Sequence, residues 1–141
     1  MRRTNAMTNA HLERLVPHLV VAHARAAIAW YQQALELELV ALVEHPEDGR
    51  VLHAELRGRG WSFYLADDFP QYGSRLPDPT RSGPLMLFVE GPRAKELYER
   101  ALRMGSRDLN PWQRTLHGAE LGQLRDPHGY EWTFRHSTTV V

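Results

Sequence analysis

The sequence predicts an α+β fold built from two βαβββ modules, and two observations carry that prediction. Short apolar runs of strand length fill most of the chain, interrupted by two stretches whose apolar residues recur at helical spacing. The order strand, helix, strands then occurs twice, and the two helical stretches echo each other: Tyr31-Gln32-Gln33-Ala34-Leu35 against Tyr98-Glu99-Arg100-Ala101-Leu102.

In the first half, residues 16–21 (VPHLVV) form a short apolar run of β type. Residues 24–35 are rich in Ala, Gln and Leu and put Ile28, Tyr31 and Leu35 at helical spacing. Residues 37–43 read as a strand closed by the turn Pro46-Glu47-Asp48-Gly49. Residues 51–57 alternate, with Val51, His53, Glu55 and Arg57 on one face and Leu52, Ala54 and Leu56 on the other. Gly58-Arg59-Gly60 reads as a hairpin turn that returns the chain through 61–66 (WSFYLA).

Residues 67–83 hold Pro70, Gly73, Pro77, Pro79 and Gly83 among polar residues and read as a surface linker, either a crossover or a lid. The second half opens with a strand at 84–90. A helix follows at 92–104, with Pro92 in its first turn, Leu97, Tyr98, Ala101 and Leu102 as its apolar stripe, and Gly105 as its stop. Short strands are expected near Asp108, at 121–125 and at 130–136, the last entered through the turn Asp126-Pro127-His128-Gly129. The organisation read from this is one domain at 15–137, with module one at 15–66, a linker at 67–83, module two at 84–137, and a flexible tail at 1–14.

The bulk numbers exclude several functions. Lys+Arg and Asp+Glu are both 17, so no basic excess exists to hold a phosphate backbone, and nucleic acid is not an expected partner. The absence of cysteine excludes disulfides, thiolate metal sites and Cys nucleophiles. No apolar run approaches the ~20 residues of a membrane-spanning helix. The first residues lack the continuous apolar stretch of a signal peptide, which makes the cytoplasm the expected location. No Gly-rich phosphate loop and no Gly-x-Ser-x-Gly elbow occurs.

Three segments carry a family likeness: His53-Ala54-Glu55-Leu56, Leu65-Ala66-Asp67-Asp68-Phe69-Pro70, and Arg125-Asp126-Pro127-His128-Gly129-Tyr130-Glu131-Trp132. With the internal repeat, they resemble the vicinal oxygen chelate superfamily, the glyoxalase/bleomycin resistance/dioxygenase group, and within it the small single-domain members. The resemblance implies a curved, partly open mixed β-barrel with the helices outside and a ligand pocket inside, often in a homodimer. It does not choose an activity, because such a fold hosts metal-dependent isomerases, ring-cleaving dioxygenases and metal-free binding proteins alike.

The resemblance also implies four metal-ligand positions, which fall here at Val16, Glu55, Pro84 and Thr133. Only Glu55 is a competent ligand, so the usual metal site is not expected and no cofactor is required. A divalent metal on a displaced set, His18, His53, Glu55 and Glu131, stays open as an alternative. The expected function is therefore small-molecule binding in a polar pocket lined by His18, His53, Glu55, His117, Thr133 and Arg135. His53 and Glu55 share a strand face and suit ligand orientation, or a base and its supporting carboxylate. A buried structural His–Glu pair is the plainer alternative. A metal-dependent lyase, isomerase or dioxygenase and an antibiotic-sequestering protein are the competing functions. Trp30, Trp61 and Trp132 are read as packing residues.

Overall fold

The computed structural model describes residues 11–136. In chain order its elements are β1 (His18–Val21), α1 (Ala24–Leu35), β2 (Glu38–Glu44), β3 (Val51–Gly58), β4 (Trp61–Asp67), a 3-10 turn at Pro70–Tyr72, β5 (Leu87–Gly91), α2 (Ala94–Arg103), β6 (Arg107–Arg114), β7 (Glu120–Arg125) and β8 (Glu131–His136). They form two four-stranded sheets of identical plan, β1-β4-β3-β2 and β5-β8-β7-β6. In each sheet the first and fourth strands run parallel, while the remaining pairs are antiparallel. The fold is thus α+β with duplicated βαβββ modules, and among the described residues the two sheets do not close into a barrel.

Strand alternation sorts each sheet into a helix-covered face and an open face. On the first sheet Leu19, Val21, Ala54, Leu56, Phe63 and Leu65 are buried with Ala27 and Tyr31 of α1. On the second, Leu124, Trp132 and Phe134 are buried with Tyr98 and Ala101 of α2. The two cores meet at aromatic rings: Trp132 lies 6.1 Å from Tyr31 and 6.0 Å from Phe63 between centroids. Gly122 lies directly under the Tyr98 ring, where a Cβ would stand 2.8 Å from ring carbons, so only glycine lets that helix sit so close to β7.

Polar contacts also tie the halves together. Trp30 Nε1 donates to the Met104 carbonyl at the end of α2, at 2.7 Å. Glu36 caps α1 with φ +58°, a conformation usually left to glycine, and its carboxylate takes hydrogen bonds from Arg93 and Arg100 of the other module. Those hydrogen bonds, Arg93 first and Arg100 second, hold the Glu36 carboxyl down at about 2. The Tyr130 hydroxyl accepts from the Val20 N–H at 2.8 Å and donates to the Val20 carbonyl at 2.9 Å. It thereby satisfies one residue of the β1 edge that no strand covers. Tyr130→Phe is expected to cost about 1–2 kcal/mol in a urea titration, because both Val20 groups lose their partner.

The linker is a strap rather than a free loop. Arg125 donates to the carbonyls of Asp78 and Pro79, and Pro77 lies against Gly129, whose φ of +98° also demands glycine. Several element limits differ from the sequence reading. Val16 and Pro17 precede β1, and residues 84–86 precede β5. The strand expected near Asp108 is eight residues long and contains Pro111, which is tolerated because β6 is an edge strand. Of the tail at 1–14, residues 1–10 lie outside the described residues, while Arg14 is held against β3 by an ion pair with Glu55.

Candidate functional site

Period-two alternation builds a polar patch on the open face of the first sheet. His18 of β1 and Glu55 of β3 are both aligned with Tyr64 of β4, so the three occupy one row across the sheet. His53 lies two residues before Glu55, and its ring packs edge-on against Tyr64 with centroids 4.7 Å apart. Glu55 is 9% exposed. Arg14 donates to its carboxylate at 3.0 Å and to the Ser62 hydroxyl at 2.6 Å, and Arg57 stands 3.9 Å away. The Arg14 hydrogen bond holds the Glu55 carboxyl below its ordinary value, so the group is an anion at neutral pH. Burial and, second, the neighbouring His53 keep His18 below the usual imidazole value, leaving it neutral there.

The open face of the second sheet is polar in a different way. Thr133 is 1% exposed, and its hydroxyl accepts from Gln123 at 3.0 Å, which in turn accepts from Asn110 at 3.3 Å. Arg135 pairs with Glu90 across the β5–β8 register at 3.0 Å. This is an uncharged amide and hydroxyl ladder flanked by one exposed ion pair.

A cleft of about 1000 Å³ opens between the two sheets. Residues 14–17 and the β3–β4 hairpin form one wall, and residues 85–90 of β5 and its approach form the other. Trp61, 38% exposed, and Phe88, 52% exposed, face it from opposite sides. Trp61 reads from the sequence as a core or interface packing residue. It is laid over Gly58, at whose position a Cβ would stand 2.5 Å from the indole.

The structure brings His18, His53 and Glu55 onto one face, and places Thr133 and Arg135 on the open face of the other sheet. His117 is exposed in the turn between β6 and β7, the two strands farthest from β5 in the second sheet. Glu131 does not join His18, His53 and Glu55. It is 6% exposed and committed to Arg125 at 2.7 Å beneath the linker. The displaced metal set of His18, His53, Glu55 and Glu131 is therefore not assembled, and among the described residues no group of three or more His, Cys, Asp or Glu converges.

The usual metal positions do not fit a metal either. Val16 and Pro84 offer no donor, Thr133 offers a neutral hydroxyl already bonded to Gln123, and the Glu55 carboxylate is taken by Arg14. Sequence reasoning missed Arg14, which it left in the tail, and passed over Ser62 and Tyr64. The alternation in WSFYLA was the available signal, since it puts Ser62 and Tyr64 opposite the buried Phe63 and Leu65.

A family model for the Glyoxalase/Bleomycin resistance protein/Dioxygenase superfamily matches residues 10–134. The chain belongs to that superfamily. An uncharacterized protein of Mycobacterium bovis is 34% identical to this superfamily member over 122 residues, covering 84% of this chain and 80% of the relative. An uncharacterized protein of Mycobacterium tuberculosis is likewise 34% identical, covering 84% of this chain and 71% of its own. Among solved structures, protein PA1353 from Pseudomonas aeruginosa superposes with a TM-score of 0.72 at 21% identity, over 88% of this chain and 97% of that one. A glyoxalase/bleomycin resistance protein/dioxygenase family enzyme from Burkholderia phytofirmans gives a TM-score of 0.65 at 13% identity, over 84% and 94% of the two chains. These identities establish the shared superfamily fold.

Proposed function

We propose that this superfamily member is a cytoplasmic, homodimeric small-molecule-binding protein that uses its open sheet faces as a pocket, with residues 15–137 as the binding unit and without the usual metal. The observation that carries this reading is the row of His18, Tyr64 and Glu55, with His53 beside it. Polar side chains gathered on a sheet face away from the core do not contribute to core packing. Glu55 in particular is kept charged and nearly buried by Arg14 and Ser62. A ligand hydroxyl or amide is oriented by such a mixture of neutral imidazole, phenol and carboxylate. Thr133 and Arg135 bind from the second sheet, and His117 binds at the rim of the pocket once the partner subunit is in place.

The homodimer rests on the edge strands β2 and β6, which leave Leu42, Val43 and Leu109 exposed. Light scattering should give a species of twice 16.2 kDa at micromolar concentration, and a 16.2 kDa species removes the dimer from the account. The cytoplasmic assignment is supported by the lack of cysteine and by the absence, among the described residues, of a helix long and apolar enough to cross a membrane. Secretion of the full chain from its native host would contradict it.

The binding reading is tested with a fragment library screened by calorimetry against the parent, His53→Ala and Glu55→Gln. Fragments that bind the parent should lose about tenfold in affinity or more in Glu55→Gln, since a hydrogen bond to a charged group contributes ~1.5–3 kcal/mol, and about fivefold in His53→Ala, the ~1 kcal/mol of an ordinary hydrogen bond. Unchanged affinity in both variants contradicts the pocket assignment.

A further inference from the structure

We infer that the cleft between the sheets selects a flat, apolar anion of the aromatic carboxylate class, with its ring between Trp61 and Phe88 and its carboxylate on Arg57 and Arg59. The inference rests on the reading above that the chain binds a small molecule, and it concerns the cleft that adjoins the His53–Glu55 face through Arg14 and Arg57.

The charge of the cleft favours an anion. The ionised groups lining the cleft are Arg14, Arg57, Arg59 and Glu90. Arg14 is matched by Glu55 at 3.0 Å and Glu90 by Arg135 at 3.0 Å. Arg57 reaches Glu55 only at 3.9 Å, and that carboxylate already belongs to Arg14. Among the described residues Arg59 has no ion-pair partner. Two guanidinium groups are thus left over at the hairpin end of the cleft, and a guanidinium matches a carboxylate in two-point geometry.

The shape of the cleft independently favours a flat ring. Trp61 lies over Gly58 so closely that any side chain there would displace the indole. Its ring also stacks on Phe63, with centroids 6.4 Å apart and planes at 23°. A large aromatic fixed in this way and still 38% exposed is a preformed platform rather than a loose surface residue. Across the cleft Leu85, Met86 and Phe88 are exposed apolar groups. Two apolar walls with cationic groups at one end fit a planar ring bearing one negative charge.

The probes are 2-naphthoate and its neutral isostere 2-naphthamide, titrated calorimetrically into the full-length protein. Naphthoate should bind ~10-fold more tightly than the amide, the increment of one charge-assisted hydrogen bond at a partly exposed site. The double variant Arg57→Gln/Arg59→Gln should remove that preference, while Arg103→Gln, an exposed arginine on α2, should leave it unchanged. Gly58→Ala should weaken both probes together and keep their ratio. Equal binding of the two probes, or a preference that survives the double arginine variant, overturns the inference. If the probes bind equally and still lose affinity in His53→Ala, the pocket reading stands without its anion preference. If neither probe binds, the inference falls, and the fragment screen against His53→Ala and Glu55→Gln decides the pocket reading separately.

Discussion

Asp126→Ala is expected to destabilise the protein by about 3–5 kcal/mol, enough to leave little folded protein in moderate urea. Asp126 is 3% exposed and is the common acceptor of four hydrogen bonds. One oxygen takes the Tyr31 hydroxyl at 2.5 Å and Trp132 Nε1 at 2.8 Å, and the other takes the backbone N–H groups of His128 and Tyr130. Removing the carboxyl strands two buried side-chain donors from opposite modules and frees the turn that starts β8. Asp126→Asn should lose about half as much, because one amide oxygen still serves the turn while its NH2 meets a donor at Trp132.

The same residue gives a pH signature. Burial raises the Asp126 carboxyl above its ordinary value, and its hydrogen bonds only partly oppose that. A folded value above the unfolded one means that the native state binds the proton more tightly. This contribution is therefore fully present below ~3.9, the usual aspartate value, and is lost as the pH rises through the folded value. Glu36 runs the other way. Its folded value of about 2 means that its contribution is present above ~4.3 and disappears as the pH falls toward 2. Urea titrations of parent and Asp126→Asn between pH 3 and 7 should show the gap between them widening toward acid, where the parent gains what the variant cannot.

Asp67→Ala is the second large effect, at about 2–4 kcal/mol. Asp67 ends β4, is 9% exposed, and divides its two oxygens between the Ala24 N–H at the start of α1, at 2.8 Å, and the Val51 N–H at the start of β3, at 2.7 Å. Both donors are buried, and the first is one of the N–H groups that a helix cannot satisfy internally. The variant leaves both unpaired and loosens the β1–β4–β3 arrangement on which His18, His53 and Glu55 depend. Denaturation should therefore show the loss of stability, and ligand affinity should fall even though Asp67 lies off the open face. Stability within 0.5 kcal/mol of the parent would show that water replaces the carboxylate at both donors.

Both residues show where sequence reading stops. The motif Asp126-Pro127-His128-Gly129 announces a turn, and the structure has one, but the partner that makes Asp126 indispensable is Tyr31, 95 residues away. Asp67 falls at the start of a Pro- and Gly-rich stretch and reads as linker, because nothing local marks its two backbone partners. Local pattern, by contrast, was sufficient for α1, whose Ala- and Leu-rich run has the observed limits Ala24–Leu35, and for the shared face of His53 and Glu55. The alternation that puts Trp132 and Phe134 under the helices was equally readable. It did not reveal that Glu131 is spent on Arg125, since burial there comes from the linker strap and not from the strand. β6 was underestimated because Asn110, Pro111 and Gln113 break the apolar pattern, and only its position as an edge explains why such a strand persists.

The central claim is that the open face around His53 and Glu55 holds a small molecule without help from the usual metal positions. It is tested most directly by a crystal structure of the chelator-treated protein soaked with a fragment selected by calorimetry. The expected structure has the fragment over β3 and β4, with a polar atom within hydrogen-bond distance of His53 or Glu55 and its other end toward Arg14 and Arg57, where this face adjoins the cleft. A fragment lodged instead beneath the linker at Gly129, or on the outer surface of α1 or α2, would contradict it.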